Sequence, residues 1–596
     1  MLYTRSRLFQ YACTAIQLNR RLFLGRYSVR IRVNQSCGAA GCRQFLASAI
    51  ALTAFAALAQ TPSQPDAGRI LQETRPSGTA APAINLPPID APRTAKPVVP
   101  EGSSDSRVQV TQFDFSGNSA LSAEVLREAL KDFTGKALNF GQLIEAVEAV
   151  EARYKQAGYF LAQAILPPQQ IRDGAVEISI SEGLLGEIRL EGETHIATDV
   201  LFAYLDKLPK GKPLVLLQLE RQILLINELA GGRETLDLQA GEKPGSSDVV
   251  LAMEPDALIS GRLDANNHGA LSTGEYRVGL SLNGNSLFNR GERITFNTMT
   301  SDTSGLLVYS LRGELPVGGD GWRLSASSSR ATYSLGGAFA SLVASGSADS
   351  LRVGAAYPLL RSRSKNLRLQ LEVDRSKLKD NFRASGTVLD KQSNGVTFTT
   401  SGDWLDDVGG GGANRFDLQL RSATLRLGPT SAAQDSAATG FNTAGGFNKL
   451  QLNASRQQSL SRDMSLSAAL SYQTAGKNLD SSEKLSLGGP QSLPGFGAGE
   501  SSGDGGYHIK LSGRWQALPA LGLSVYTDYA ALKLAITPLA GATTNKRILS
   551  DFGFGADWLI EKGISANALL AWPLKPTNVP GDDNKPRLWF TLAYAW

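Results

Sequence analysis

The chain has 596 residues, of which 42% are hydrophobic and 19% charged, and its formal net charge is +5. This length is too great for one compact domain, so we expect several. After residue 59 no apolar run reaches the roughly 20 residues of a transmembrane helix, which excludes a helical membrane domain from that part of the chain.

The N-terminal segment predicts export. A short apolar run at 45–58 follows an arginine and ends in Ala-Leu-Ala, the small-residue pattern that signal peptidase cuts. We therefore expect a signal segment at 1–59 and a mature chain that begins near Gln60. The basic stretch before the apolar run is long for a signal peptide, so two alternatives stay open: an extended signal, or a start codon further downstream.

Removal of this segment changes the composition. Residues 1–59 contain eight arginines and no lysine or acidic residue, so their loss takes the net charge from +5 to −3. The overall positive charge thus gives no support for nucleic-acid binding, and we predict no nucleic-acid partner. The three cysteines also lie in this segment, at Cys13, Cys37 and Cys42. A mature chain without cysteine excludes disulfides, thiolate metal sites and a cysteine nucleophile.

Proline, alanine, serine and glycine dominate the next part of the chain, from residue 61 to 107. We assign 60–74 to an N-terminal region with one short helix at 66–74, and 75–106 to a semi-rigid extended linker. About thirty linker residues at ~3.1 Å each reach roughly 90 Å, more than the roughly 40–45 Å of a membrane. The helix could therefore plug a barrel while tethered to a domain outside it.

Two units with the same order of elements follow, at 107–183 and 184–255. Each has the pattern strand, helix, helix, strand, strand, which indicates a tandem repeat. The helices carry one apolar stripe, which predicts packing against a small sheet. The edge strand of such a sheet can bind another extended chain. The alternative is that the two units are inert spacers.

From residue 256 to the C-terminus, apolar and polar residues alternate with a period of two. Within 367–374, for example, Leu, Leu, Leu and Val alternate with Arg, Gln, Glu and Asp. A charged opposite face suits the wet lumen of an outer-membrane barrel better than a two-sided core. The last strand has one aromatic-ended face and could, taken alone, be buried in a soluble sandwich. At roughly twenty residues per strand and connection, these residues predict about sixteen antiparallel strands, enough to enclose a plug or a passing chain.

Several weaker signals point to chemistry, and we set them aside. A G-x-S-x-G pattern at 499–503, near Asp504 and His508, matches an esterase signature. That signature needs a strand-to-helix turn, whereas this stretch lies in a glycine-rich loop between predicted strands. The histidines of the mature chain are scattered, and the glycines at 409–412 lack a following Lys-Ser/Thr. We predict no enzyme activity, no cofactor and no metal site.

Spaced motifs along nearly the whole mature chain resemble the outer-membrane transporters of two-partner secretion, also called haemolysin secretion/activation proteins, of the Omp85 superfamily. The resemblance implies that 107–183 is a first POTRA domain, 184–255 a second and 256–596 the transmembrane barrel. Residues 227–232 resemble the end of the second domain, and 264–291 the first barrel hairpins. The motif residues that resemble the end of the first domain are Tyr154, Gly158, Tyr159, Pro167, Gln169, Gly174, Glu182 and Gly183.

The resemblance also implies a function. The protein would lie in the bacterial outer membrane, receive an unfolded exoprotein on its periplasmic POTRA domains and secrete it through the barrel. The expected partners are that exoprotein, the lipid bilayer and the outer-membrane assembly machinery, which would bind the C-terminal strand through Phe590, Tyr594 and Trp596. Two alternatives stay open: an Omp85-type factor that inserts other barrels through an open seam, and a passive porin, against which the two repeats argue.

One motif departs from the family pattern. The family's inward-folded loop carries Val-Arg-Gly-Phe/Tyr at its tip, and the Arg pairs with an Asp on the inner barrel wall. Here the tip reads Leu493, Pro494, Gly495, Phe496, with proline in place of the arginine, and Asp528 matches the wall position. An unpaired carboxylate in a confined lumen is costly unless it is solvated or paired elsewhere. The resemblance therefore leaves the anchoring of the loop open, and the tip could be a plain turn.

Overall fold

The computed structural model describes residues 65–74, 107–303, 305–539, 541–575 and 585–596. The predicted signal segment at 1–59 and the linker at 75–106 lie outside the described residues. Across the described ranges, no helix is long and apolar enough to cross a membrane.

The first described element is helix α1 (Ala67–Glu73), at the place where a short helix is predicted. Asp66 caps its N-terminus by accepting a hydrogen bond from the Arg69 N–H at 2.9 Å. Thr74 is the C-cap, and its hydroxyl donates to the carbonyl of Ile70 at 2.7 Å.

The first α/β module has two helices packed on a three-stranded sheet of order β2-β5-β4. Its elements are β1 (Val108–Gln109), β2 (Gln112–Ser116), α2 (Ala123–Ala129), β3 (Ala137–Leu138), α3 (Phe140–Gln156), β4 (Gln163–Ile165) and β5 (Ala175–Ser181). Helix α3 begins with a capping box in which Asn139 and Gln142 exchange side-chain-to-backbone hydrogen bonds. Its buried stripe, Leu143, Val147, Val150 and Tyr154, faces the sheet.

The second module repeats this arrangement, with strand order β6-β8-β7. Its elements are β6 (Leu184–Gly192), α4 (Thr198–Leu205), α5 (Leu216–Ile226), β7 (Arg233–Ala240) and β8 (Ser246–Glu254). Leu161 of the first module is buried in the core of the second, and the Leu216 N–H donates to the carbonyl of Gly158 at 2.9 Å. The two modules therefore share apolar and backbone contacts at their junction.

Sixteen antiparallel strands close a barrel, which confirms the predicted number and direction of strands. The strands before the inward loop are β9 (Ile259–Asn266), β10 (Arg277–Asn285), β11 (Arg293–Ser301), β12 (Leu306–Val317), β13 (Trp322–Ser334), β14 (Ala344–Arg361), β15 (Lys365–Phe382), β16 (Thr387–Asp406), β17 (Gly412–Leu427), β18 (Gly445–Ser459) and β19 (Met464–Ala475). The loop at 476–504 contains the short pair β20 (Leu485–Leu487) and β21 (Ser501–Gly503). The barrel then ends with β22 (Gly505–Leu518), β23 (Leu521–Lys533), β24 (Lys546–Glu561), β25 (Ile564–Pro573) and β26 (Arg587–Ala595).

Some connections between barrel strands contain short helices. These are α6 (Pro429–Ser436) and three 3-10 turns, Gly337–Leu342, Val408–Gly410 and Ser481–Glu483. The last of these turns belongs to the inward loop and contacts α1.

The seam between β26 and β9 closes the barrel. Five residue pairs run from Thr591 opposite Asn266 to Ala595 opposite Arg262. The Asn267 side chain continues the ladder, because it accepts from the Phe590 N–H and donates to the Leu588 carbonyl, both at 2.8 Å. At the other end, Trp596 and Gly261 exchange two backbone hydrogen bonds of 3.0 Å. The described seam is thus hydrogen-bonded along its length, with no unpaired edge.

Candidate functional site

Helix α1 lies inside the barrel, against the inner wall. Ala67, Ile70 and Leu71 are buried and pack in one apolar cluster with wall residues that include Leu306 and Leu378. Because a helix of seven residues is not stable alone in water, the wall must supply most of its stability.

Polar contacts fix both ends of α1 to the barrel. At the N-terminus, the Ala67 N–H donates to Asp380 Oδ1 at 2.7 Å, and the Tyr333 hydroxyl donates to the same oxygen. At the C-terminus, Glu73 Oε2 lies 3.6 Å from Arg277 Nη2, a guanidinium that is almost fully buried. The helix is therefore held at both ends by barrel residues.

One lysine links α1 to the inward loop. Lys391 Nζ lies 3.1 Å from Asp66 Oδ2 and 2.7 Å from Asp480 Oδ2. The Ser481 hydroxyl also donates to Asp66 Oδ2 at 2.6 Å. All three charged side chains are largely buried, so removing one leaves an uncompensated charge away from water, which is costly. The ammonium thus couples the helix cap to the loop.

The rest of the inward loop, 476–504, also contacts α1. Arg69 Nη2 donates to the Ala498 carbonyl at 2.7 Å, and Gln72 Nε2 donates to the Lys484 carbonyl at 2.7 Å. The loop in turn binds the wall through buried ion pairs, with Glu483 Oε2 lying 2.7 Å from Lys449 Nζ. Helix and loop together form one hydrogen-bonded body inside the lumen.

The predicted loop tip, Leu493 to Phe496, lies at the inner wall. Leu493 and Phe496 are fully buried in a cluster with residues of β23 and β24. The Gly495 N–H donates to Asp551 Oδ2 at 2.6 Å, and Trp589 Nε1 donates to the Pro494 carbonyl at 2.7 Å. The tip is therefore held through two backbone groups, the Gly495 N–H and the Pro494 carbonyl. These bonds do not depend on a side chain at either position.

The predicted wall partner, Asp528, has other neighbours. Its Oδ1 lies 2.7 Å from His508 Nε2, and its Oδ2 lies 3.6 Å from Lys510 Nζ. It faces Asp551 directly across the β23–β24 ladder. Asp528 is thus paired elsewhere, and its role as the loop's partner stays a prediction. Sequence reasoning missed Asp551 and Trp589, because only the strand register brings them to the tip.

The esterase-like pattern at 499–503 adopts no strand-to-helix turn, because 501–503 form β21 and pair with β20. Asp504 Oδ1 is bound to Lys484 Nζ at 2.7 Å, and His508 is bound to Asp528. Among the residues that the structure describes, no group of three or more His, Cys, Asp or Glu is arranged to hold a metal ion.

In the first α/β module, two motif residues form one buried network. Tyr154 donates its hydroxyl hydrogen to Glu182 Oε1 at 2.8 Å, and the N–H groups of Ser119 and Ala120 donate to the same oxygen at 2.7 Å. Burial alone would raise the pKa of Glu182, but these hydrogen bonds, with one from the Ser119 hydroxyl, outweigh it and lower the pKa below the usual 4.5. Burial and the neighbouring carboxylate raise the pKa of Tyr154.

The other motif residues shape the turns and the edge of the sheet. Gln169 exchanges two hydrogen bonds of 2.8 Å with the backbone of Glu177, in the manner of a paired strand. Gly183 has a φ of +69°, and a Cβ there would lie 2.3 Å from the Cβ of Leu161. The remaining motif residues lie close by, Tyr159 with its ring 6.0 Å from that of Tyr154, and Gly158, Pro167 and Gly174 in connections. The functional role of this motif stays a prediction.

The second module is bound to the turns at one end of the barrel. Glu228 contacts three barrel arginines, with oxygen-to-nitrogen distances of 2.7 Å to Arg361 and 3.2 Å to both Arg323 and Arg368. A backbone hydrogen bond of 2.9 Å runs from the Ala197 N–H to the Asn289 carbonyl. The three predicted C-terminal residues, Phe590, Tyr594 and Trp596, are exposed on the outer face of β26 at the seam.

Comparison with known proteins gives the family. Residues 245–535 match the model for the haemolysin secretion/activation protein ShlB/FhaC/HecB, and residues 108–183 match the POTRA domain, ShlB-type. The heme/hemopexin transporter protein HuxB of Haemophilus influenzae is 26% identical over 544 residues, 89% of this chain and 94% of that protein. The outer membrane transporter CdiB of Dickeya dadantii is 25% identical over 392 residues, 64% of this chain and 68% of that protein.

Solved structures share the fold. CdiB from Escherichia coli superposes with a TM-score of 0.68 at 19% identity, covering 85% of this chain and 94% of that one. CdiB from Acinetobacter baumannii gives a TM-score of 0.59 at 15% identity, covering 93% and 98%. The predicted fold class, outer-membrane location and secretion function are confirmed. The chain belongs to the haemolysin secretion/activation protein family and is an outer-membrane pore for the two-partner secretion of an exoprotein.

Proposed function

We propose that the described conformation is the closed state of this secretion pore, with helix α1 and loop 476–504 as its plug. The observation that carries this is the shared Lys391, which binds a carboxylate of the helix at 3.1 Å and one of the loop at 2.7 Å. The helix and the loop also bind each other directly, through the Arg69 and Gln72 side chains. An exoprotein that passes through the lumen must displace α1.

The periplasmic part receives the exoprotein. We assign POTRA 1 to 107–183, POTRA 2 to 184–255 and the barrel to 256–596, after a signal segment at 1–59, a plug region at 60–74 and a linker at 75–106. Each POTRA sheet has edge strands that can hold an unfolded chain by main-chain hydrogen bonds, largely independent of its side chains. The contacts of Glu228 with three barrel arginines support a position of POTRA 2 at the periplasmic opening of the barrel.

The proposed function also gives roles to the loop tip and to the C-terminal residues. The tip Leu493–Phe496 is the anchor of the plug loop, with the Asp551 carboxylate and the Trp589 indole taking over the anchoring that the family's arginine supplies elsewhere. The exposed Phe590, Tyr594 and Trp596 form the signal for the outer-membrane assembly machinery. The protein acts without chemical catalysis, and folding of the exoprotein outside the cell drives its export.

Photo-crosslinking from two adjacent residues of β15 tests the route. Strand alternation places Gln370 on the inner face and Leu371, half exposed, on the lipid face. With a photoreactive amino acid at each position in turn, a co-expressed exoprotein should crosslink to position 370 and not to position 371. A third probe at Leu263, exposed on β9 at the seam, tests the alternative that the protein is an assembly factor that inserts other barrels through this seam. Exoprotein captured at 263 or 371, but not at 370, would contradict passage through the lumen.

A further inference from the structure

The outward face of β15 changes character part of the way along the strand. Leu371 and Val373 are exposed on this face, as expected for lipid contact. The next outward residues are Arg375, Lys377 and Lys379, which are also exposed, while the residues between them face inward and are buried. Three consecutive outward positions are therefore cationic, directly above the apolar band.

Neighbouring strands extend this basic surface. In the strand register, Lys377 lies opposite Asp349 of β14 on one side and Gln392 of β16 on the other. Asp349 in turn lies opposite Arg330 of β13, and Gln392 lies opposite Arg426 of β17. We call the five cations the basic patch: Arg330, Arg375, Lys377, Lys379 and Arg426. Two acidic residues lie among them, Asp349, paired with Arg330 at 3.3 Å, and the exposed Asp390 opposite Lys379.

The patch has a net positive charge. Five cations and two carboxylates give +3. Over the described part of the chain, Lys377, Lys379 and Arg426 have no carboxylate within ion-pair distance. These cations are therefore free to bind an anionic ligand.

An open groove of about 480 Å³ lies between the apolar band and the patch. Leu351, Val353, Val373 and Val396 form its apolar part, and Arg375 lies at its rim. Asn394, Ser422 and Thr424 line the rest together with Gly395, Ala423 and Asp374. The Asp374 carboxylate is paired with Arg421. A ligand that fits this groove has an apolar chain and an anionic head.

The patch lies at the outer surface of the membrane. β15 begins next to the turn that carries Arg363, whose guanidinium lies 3.4 Å from Glu220 of POTRA 2, so this end of the strand is periplasmic. The ten residue steps from Lys365 to Arg375 rise roughly 25 Å in a strand tilted by about 40°, which is the height of the apolar band. Arg375 and the two lysines therefore stand level with the headgroups of the outer leaflet.

We propose that the basic patch and its groove bind the phosphorylated glycolipid of the outer leaflet. One acyl chain lies in the groove, and the phosphates bind Arg375, Lys377 and Lys379. Arginine binds phosphate with two parallel hydrogen bonds, and such charge-assisted bonds are stronger than those between neutral groups. The contact ties the wall of β13 to β17 to one leaflet and sets the depth of the barrel in the membrane.

Native mass spectrometry of the full chain in detergent tests this site, with diphosphorylated lipid A as the probe. The variant carries Arg375→Gln, Lys377→Gln and Lys379→Gln. Its matched control removes three exposed cations on the periplasmic side, with Lys212→Gln, Arg462→Gln and Lys562→Gln. At about a factor of five per cation, the variant should bind lipid A about a hundredfold more weakly, and the control should bind like the wild type.

Two further lipids test the proposal with the wild-type protein alone. Dephosphorylated lipid A should bind the wild type weakly, and phosphatidylglycerol should bind more weakly than lipid A. Equal binding by the variant and the control, equal binding of the dephosphorylated lipid, or equal binding of phosphatidylglycerol would each overturn the proposal.

Discussion

Asp528 and Asp551 lie directly opposite each other on β23 and β24, and the tip of the inward loop binds Asp551. Asp528 contacts His508 and Lys510 on the neighbouring strand. Asp551 Oδ2 instead accepts the Gly495 N–H at 2.6 Å. Both carboxylates belong to the wall, but Asp528 pairs within the wall, whereas Asp551 binds the loop.

Removing the Asp551 carboxylate should loosen the loop tip. Asp551→Ala leaves the buried Gly495 N–H without its acceptor, which costs about 2 kcal/mol. Hydrogen exchange at residues 493–496 should therefore become faster. Asp551→Asn keeps an acceptor oxygen and should stay close to the wild type, so equal exchange in Asp551→Ala and the wild type would disprove this anchor.

Gly261 should be required for seam closure. A Cβ at this position would lie 2.1 Å from the ring of Trp596. Gly261→Val should therefore displace the terminal tryptophan and lower the temperature at which the folded barrel loses its fast electrophoretic mobility. Gly313→Val is the matched control, because a Cβ on this strand glycine meets no atom within 4 Å. Equal transition temperatures for both variants would show that Trp596 packing does not hold the seam.

Glu182 should stabilise POTRA 1 in a pH-dependent way. Its pKa is lower in the folded domain than the usual 4.5, so its stabilising effect is complete above about pH 4.5 and is lost as the pH falls through the folded-state pKa. Glu182→Gln should accelerate hydrogen exchange in residues 107–183 of the full chain at pH 7. The difference from the wild type should shrink below pH 4.5, and a difference that does not depend on pH would contradict the assignment.

Glu234 in POTRA 2 should have the opposite pH dependence. Burial raises the pKa of this carboxyl to about 8, and neither of its oxygens has a hydrogen-bond partner among the described residues. Because the folded domain holds the proton more tightly than the unfolded chain, POTRA 2 should lose stability as the pH rises from 4.5 through 8. Glu234→Gln should remove this loss, so exchange in residues 184–255 at pH 9 should be slower than in the wild type. Faster exchange in the variant would rule out a buried neutral carboxyl.

The sequence predicts those features that depend on local pattern. The period-two alternation predicts the barrel, because each strand shows one face to lipid and the other to the lumen. The length of this segment, at roughly twenty residues per strand and connection, predicts about sixteen strands. The helix at 67–73 is predicted within one residue at each end, since Asp66 is a strong N-cap.

The contacts that hold the plug were not predictable, because they join residues far apart in sequence. Lys391 and Asp66 are separated by 325 positions, and Gly495 and Asp551 by 56. Such pairs depend on strand register, and a shift of one residue would turn every side chain to the other face. The family motif pointed to Asp528 of β23, whereas the loop's hydrogen bond is made with Asp551 of β24.

A disulfide between α1 and the loop tests the plugged-pore account most directly. The Asp66 and Ser481 side chains are in hydrogen-bond contact at 2.6 Å, and residues 60–596 contain no native cysteine that would interfere. In Asp66→Cys/Ser481→Cys, oxidation should stop release of a co-expressed exoprotein, and reduction should restore it. The single variant Asp66→Cys should secrete in both conditions. Undiminished secretion by the fully oxidised double variant would contradict the account, because the plug would then not need to leave.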